Sequence, residues 1–345
     1  MRALLALAAL LCIAGAGASP LQTQADALAT RGFVGEFIVA RWDGQQSRTL
    51  LTRRYGQPGP APVWRWASVS KQVAAVLALQ AQQRGLLALD DPVRRHWPGW
   101  PGPADVTLRQ LLLHTSGLPN PDSSPASQDG MPGFYRRGGP VAEDAAVFCA
   151  GPALAPAGQG FSYNNCDTRV LAEVLARVEK QPYAALVQTL AKRIGARTLR
   201  LVAADEGPTP LPASAPQPRL ARFGAAGALQ GRASDLVAFD LALISGQLLN
   251  DASRAELWRG DPKLGYVAPG AWAFTTRLRG CAQPVDLVER RGDVGGVQVR
   301  NLLAPRQGVA LVLFTPDAER EFGELWQGKG LLFDLASAAV CGVPG

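Results

Sequence analysis

Residues 66–85 read WASVSKQVAAVLALQAQQRG, running from Trp66 through Ser68 and Lys71 to Gly85. Beyond Lys71 the stretch is mostly apolar, with Val73, Val76, Leu77 and Leu79, and it predicts a central buried helix closed by a glycine C-cap. Ser68 then stands at the helix entrance, and Lys71, three residues on, shares its face. A serine hydroxyl is a weak nucleophile until a base takes its proton, and a desolvated amine can serve because burial lowers its pKa. The helix N-terminus further favours developing negative charge. The chain has fourteen serines and five lysines, so Ser-x-x-Lys arises readily by accident and its meaning rests on the surroundings.

Upstream, Phe33 to Gly56 reads FVGEFIVARWDGQQSRTLLTRRYG, two apolar-rich runs around Asp43-Gly44, the signature of a β-hairpin. Downstream, Val170, Leu171, Val174, Leu175 and Val178 recur at helical spacing, and Ser234 can cap a helix through Asp235 to Leu248. Asp122 to Pro156 and Gly207 to Pro218 carry Pro, Gly, Ser and Ala without periodicity and read as long loops. Past Gly265 strand patterns return, notably Val297 to Leu303 and Val309 to Phe314, before a terminal helix near Leu331 to Val340. Strands at both ends and helices between predict an α+β (α/β) fold. An antiparallel sheet would draw on about 30–67 and 260–345, with a mostly helical insertion over about 68–259 and the active site at their junction.

The 345 residues are 47% hydrophobic and 18% charged, enough to bury a full core and too apolar for disorder. The formal charge is +7, but the basic residues arrive singly or in pairs such as Arg53-Arg54 and Arg94-Arg95; without a basic tract, nucleic acid is not an expected partner. The first residues, MRALLALAALLCIAGAGASP, place Arg2 before an apolar stretch and small residues at Ala14, Ala16 and Ala18. They predict a signal peptide over 1–18, a mature domain over 19–345, and export to the periplasm or medium. No apolar run reaches the roughly 18 residues of a membrane span. Export leaves Cys149, Cys166, Cys281 and Cys341, for which three pairings exist; Cys149 with Cys166 and Cys281 with Cys341 are expected, the first closing a short loop and the second tying the C-terminus to the sheet. The cysteines lack CxxC spacing, and His96 and His114 are not placed as ligands, so no metal or other cofactor is expected.

Two further stretches complete a pattern. Phe161-Ser162-Tyr163-Asn164-Asn165 places a phenol and an amide two residues apart before a helix, and Leu111 to Pro119 reads LLLHTSGLP. ASVSK, LLLHTSGLP and FSYNN, in this order, resemble the serine β-lactamase and penicillin-binding protein superfamily, most of all its class C β-lactamase-like serine hydrolases. LALDDPV at 87–93 and the Gly224 to Leu236 stretch also fit. The resemblance implies a β-lactamase/transpeptidase-like fold and hydrolysis of an ester or amide through a Ser68 acyl-enzyme, of esterase, D-aminopeptidase or D,D-peptidase type. Lys71 becomes the base partner, Tyr163 the proton shuttle to the leaving group, and Asn165 a ligand of substrate and Lys71. His114 is implied to be structural.

The family's last motif is a Lys or His, one residue, then Gly, on the strand beside the nucleophile. Here the match falls on Arg291-Gly292-Asp293-Val294-Gly295-Gly296, with Asp293 in the cation's place, Gly295 and Gly296 at the close approach of substrate, and the N–H groups of Ser68 and Gly296 as the oxyanion hole. An aspartate there would repel the carboxylate of a β-lactam and favour an amine. Arg291, on the same strand face, is expected to pair with Asp293. Partners are thus a small-molecule or peptide substrate. The alternative is a catalytically silent relative that binds cell-wall fragments or a protein partner.

Overall fold

The computed structural model describes residues 18–342 apart from 57, 127, 129, 137–144 and 204–216. The expected signal segment, Ala18 excepted, lies outside these residues, as do parts of both expected loops. The elements in chain order are α1 (Pro20–Thr30), β1 (Gly35–Trp42), β2 (Ser47–Tyr55), β3 (Trp64–Arg65), α2 (Ser70–Gln83), α3 (Val93–His96), α4 (Leu108–Leu112), α5 (Ala145–Cys149), α6 (Asn165–Val178) and α7 (Tyr183–Ile194). They continue with β4 (Arg200–Leu201), β5 (Leu229–Gly231), α8 (Ala233–Ile244), α9 (Asp251–Leu257), β6 (Val267–Ala268), β7 (Ala271–Thr276), β8 (Val285–Val294), β9 (Val297–Ala304), β10 (Val309–Thr315) and α10 (Leu331–Cys341).

Seven strands form one antiparallel sheet in the order β2-β1-β10-β9-β8-β7-β6. The N-terminal strand β1 lies directly against β10, with Phe37 opposite Leu313 and Val39 opposite Leu311, so the two ends of the chain share the sheet, as the sequence pattern implies. The sequence of β10, VALVLFT, is buried throughout, because helices cover both faces and a doubly covered strand needs no polar alternation. One face carries α2 and α8 with the larger core; the other carries α1 and α10, where Leu21, Ala25 and Leu28 pack with Phe37, Leu311 and Leu335. Each buried leucine in this layer contributes roughly 2 kcal/mol. The outer strand β2 is largely exposed, and its arginines Arg53 and Arg54 suit a sheet edge.

Three details depart from the sequence reading. Helix α1 was not expected, yet Ser19 caps it, Pro20 opens it, and Leu21, Ala25 and Leu28 form its buried stripe. A small second sheet has the order β3-β5-β4. Helix α8 is preceded by Arg232, which gives no side-chain cap; the Asp235 carboxylate instead accepts the Thr198 N–H at 2.9 Å. Both expected disulfides are present, Cys149–Cys166 with Cα atoms 5.3 Å apart and Cys281–Cys341 with 5.0 Å. Among the described residues no helix is long and apolar enough to cross a membrane.

Behind α2, Asp240 of α8 is fully buried and accepts from Asn301 Nδ2 at 2.9 Å, while Gln72 Oε1 accepts from the same nitrogen at 3.0 Å. Its second oxygen, Asp240 Oδ2, is buried without a partner, as is Asn301 Oδ1. Burial pushes this carboxyl well above the usual range, so the folded state holds the proton more tightly than the unfolded chain. Stability from this site is therefore fully present below the unfolded pKa and is lost as pH rises toward the folded value. We predict that Asp240→Asn keeps stability at pH 5 within about 1 kcal/mol of the parent and reduces the decline between pH 5 and 8, as measured by urea unfolding.

Candidate active site

The position of Ser68 is set by a strained joint. Ala67, with φ at +45°, precedes Ser68, and a short 3₁₀ turn over Ala67–Val69 leads into α2. A non-glycine residue in this region costs on the order of 1 kcal/mol and persists only where surroundings fix it. Here Trp64 and Trp66 are fully buried, and Ser70 accepts the Leu229 N–H at 3.1 Å. The joint is thus stitched to β5.

Ser68 Oγ lies 2.7 Å from Tyr163 OH and 3.4 Å from Lys71 Nζ. The amine also donates to Asn165 Oδ1 at 2.6 Å and to the Ala226 carbonyl at 2.7 Å. Lys71 is 2% exposed, and burial, reinforced by the Arg290 charge and opposed by Tyr163 and Asp122, brings its pKa down to about 8. For Tyr163, burial pushes the phenol up, but Arg290, Lys71 and the hydrogen bonds together hold it below its ordinary value. The four residues Ser68, Lys71, Tyr163 and Asn165 meet in one cluster. His114 is buried behind it, its ring centre 4.8 Å from that of Tyr163 and its Nδ1 3.0 Å from Asp167 Oδ2.

The last motif needs correction. The cation beside the phenol is Arg290: its Nη2 donates to Tyr163 OH at 2.6 Å and its Nε to the Ser68 carbonyl at 2.9 Å. Asp293 therefore does not take the cation's place. The glycine at the close approach is Gly292, where a Cβ would stand 2.9 Å from both Ala67 Cβ and the Trp66 carbonyl oxygen. Cation, one residue, glycine reads Arg290-Arg291-Gly292, three residues earlier than the sequence match placed it. Gly295 and Gly296, with φ of +55° and +84°, make the two-residue turn joining Val294 to Val297 in the β8–β9 hairpin, which is what their conformational freedom supplies. Arg291 pairs with Glu289 at 2.8 Å and with Glu324, not with Asp293. Asp293 lines the cleft, and burial raises its carboxyl above the usual range against the pull of Arg300.

The cleft is about 740 Å³. Its walls include Ser68, Tyr163, Arg290, Trp272, Asp293 and Asp122. Asp122 and Tyr135 escaped the sequence reading because nothing in an aperiodic loop marks them; Arg290 had a signal, a cation two residues before a glycine, obscured by the double glycine downstream. Among the described residues no group of three His, Cys, Asp or Glu side chains converges as a metal site.

A serine, an amine and a phenol gathered at a helix entrance beside β8 are the groups that acyl transfer through a serine requires. The Beta-lactamase family model matches residues 35–324, and the chain belongs to that family. It is 25% identical over 258 residues to the putative penicillin-binding protein PbpX of Bacillus subtilis (strain 168), covering 69% of this chain and 61% of that one. It is 32% identical over 196 residues to the esterase EstB of Burkholderia gladioli, covering 52% and 50%. The chain thus matches only half to three-fifths of the length of these relatives. In fold it is similar to a D-stereospecific amidohydrolase from Streptomyces sp. (TM-score 0.72, 24% identity, 94% of this chain and 99% of that). It is likewise similar to the D-amino acid amidase of Ochrobactrum anthropi SV3 complexed with D-phenylalanine (TM-score 0.71, 20% identity, 93% and 96%).

A methyl group at Gly292 would press on both Ala67 and the Trp66 carbonyl, neither of which can retreat without moving Ser68. We predict that Gly292→Ala slows phosphonylation of Ser68 by a fluorophosphonate probe, with loss of fluoride, about tenfold or more, read by intact mass against time.

Proposed function

We propose that this protein is an exported serine hydrolase that cleaves an ester or amide through an acyl-enzyme on Ser68. The observation that carries the reading is the 2.7 Å and 3.4 Å separation of Ser68 Oγ from Tyr163 OH and Lys71 Nζ. Ser68 Oγ attacks the substrate carbonyl carbon and its proton passes to the Tyr163 and Lys71 pair. The carbonyl oxygen becomes an oxyanion, held by the Ser68 N–H and by a backbone donor of β8. In a two-residue hairpin Val294 and Val297 form the hydrogen-bonded closing pair, so Asp293, one residue back, turns its N–H away from β9. Pairing of β8 with β7 ends at Glu289, which leaves the Asp293 N–H free to face the cleft.

The C–O or C–N bond then breaks, and Tyr163 returns the proton to the departing alcohol or amine. Water enters, gives its proton to the same pair, and attacks the acyl carbon; Ser68 Oγ departs and recovers a proton. Arg290 keeps a fixed positive charge on the phenol throughout, since a guanidinium does not deprotonate.

The cleft is lined by two carboxylates, Asp122 and Asp293, and by the guanidinium groups of Arg290, Arg291 and Arg300; Arg290 Nε and Nη2 are engaged by the Ser68 carbonyl and Tyr163. With Arg290 where the sequence match put Asp293, the charge beside the phenol no longer argues against a carboxylate-bearing substrate such as a β-lactam, while Asp122 and Asp293 can meet an amine. The names of the structural neighbours support D-amino acid amides as the first class to test. The two disulfides support export to an oxidising compartment, periplasmic or extracellular.

Ser68→Ala is expected to abolish hydrolysis of p-nitrophenyl acetate and of D-phenylalanine amide and to prevent a fluorophosphonate adduct by intact mass; unchanged turnover would remove the assignment. A silent relative would form no adduct at Ser68 in the parent protein. Because the neutral amine is the proton acceptor and Lys71 titrates at about 8, kcat/KM for the neutral ester should rise with pH through that region and then level. A profile flat from pH 6 to 9 would contradict Lys71 as part of the base.

A further inference from the structure

Asn165 opens α6, one residue after the cap Asn164, and its backbone leaves the amide plane free to turn. Its Oδ1 meets Lys71 Nζ, so the flipped amide would press NH₂ against an amine donor. What prevents the flip lies on the far side. Asn165 Nδ2 donates to Asp122 Oδ1 and Oδ2 at 3.0 and 3.2 Å, and to Tyr135 OH at 2.9 Å. Tyr135 OH in turn donates to Asp122 Oδ1 at 2.7 Å, so the phenol oxygen can only accept from the amide.

Both partners are themselves held. The Tyr135 ring is buried and stacks on Phe223 with centres 3.9 Å apart and planes within 6°. Asp122 sits in a short turn whose cap, Asn120, accepts the Asp122 N–H at 3.2 Å and donates from Nδ2 to the Tyr163 carbonyl at 2.9 Å. One asparagine therefore joins the loop carrying Asp122 to the segment carrying the catalytic phenol.

We propose that Asp122 and Tyr135 are positioning residues that lock the Asn165 carboxamide with its oxygen on Lys71, and that Asp122 thereby sets the charge balance of the base. The inference rests on the Ser68 hydrolase reading above. Lys71 faces Tyr163, Arg290 and Asp122, and the buried His114 and Asp167 also feel its charge. Of these, Asp122 is a negative charge that favours the ammonium form and opposes burial. Removing it lowers the pH at which the neutral amine appears.

The experiment uses p-nitrophenyl acetate, a neutral ester with no amine for a carboxylate to hold, and counts active enzyme by fluorophosphonate titration, so that misfolded protein does not enter. Tyr135→Phe removes one hydroxyl within an intact ring stack and should lower kcat about tenfold with KM within about twofold. Asp122→Asn should lower kcat similarly and move the acid limb of the kcat/KM profile to lower pH, and Asp122→Glu should restore the limb toward the parent. A purely structural role would lower the titratable fraction and leave both the limb and kcat per active site in place. That result, or parental kcat in both Tyr135→Phe and Asp122→Asn, overturns the proposal. If Ser68→Ala retained turnover, the hydrolase reading itself would fall, a distinct outcome.

Discussion

Lys71 is an amine held at 2% exposure within reach of a serine hydroxyl, and most of the structure can be understood as what that requires. A buried ammonium without partners would cost several kcal/mol, so the protein surrounds it with acceptors: the Asn165 amide oxygen, the Ala226 carbonyl and Ser68 itself. None is a carboxylate in direct contact. A direct ion pair would have fixed the proton on the amine, whereas neutral acceptors with Asp122 one amide away leave it able to leave near neutral pH. Arg290 completes the balance by adding positive charge to the phenol, so that amine and phenol are pushed downward together.

The architecture that brings these groups together was largely legible. The apolar-rich runs around Asp43-Gly44 and those at Val297 and Val309 marked strands, and the structure shows how they pair across the chain. Val170 through Val178 marked α6 by period alone. Helix α1 was also legible in principle, with Ser19, Pro20 and a stripe at Leu21, Ala25 and Leu28, but its alanine and polar residues make the stripe thin beside the signal-like segment that precedes it. The two site motifs were visible because they are local: Ser68 and Lys71 share a turn, and Tyr163 and Asn165 flank a helix start.

The rest depends on register and loop path, which periodicity does not encode. Three glycines lie on β8 and its turn, and only the approach of Gly292 to Ala67 decides which one adjoins Ser68. A three-residue offset exchanges a cation for an anion at the phenol, so a small ambiguity in a glycine-rich stretch inverts the electrostatic conclusion. Asp122 and Tyr135 belong to a segment with neither period nor motif, and their role comes from a hydrogen-bond chain whose members are 30 and 43 residues from Asn165.

The pairing of β1 with β10 has a consequence for biosynthesis. The middle of the sheet joins residues 35–42 to residues 309–315, so β1 lacks its inner sheet partner until residue 315 has left the ribosome. Loop closure over such a span is slow compared with local helix formation. The nascent chain therefore carries an open, adhesive strand edge until β10 arrives, and loss of residues 309–315 removes the keystone of the sheet rather than a tail.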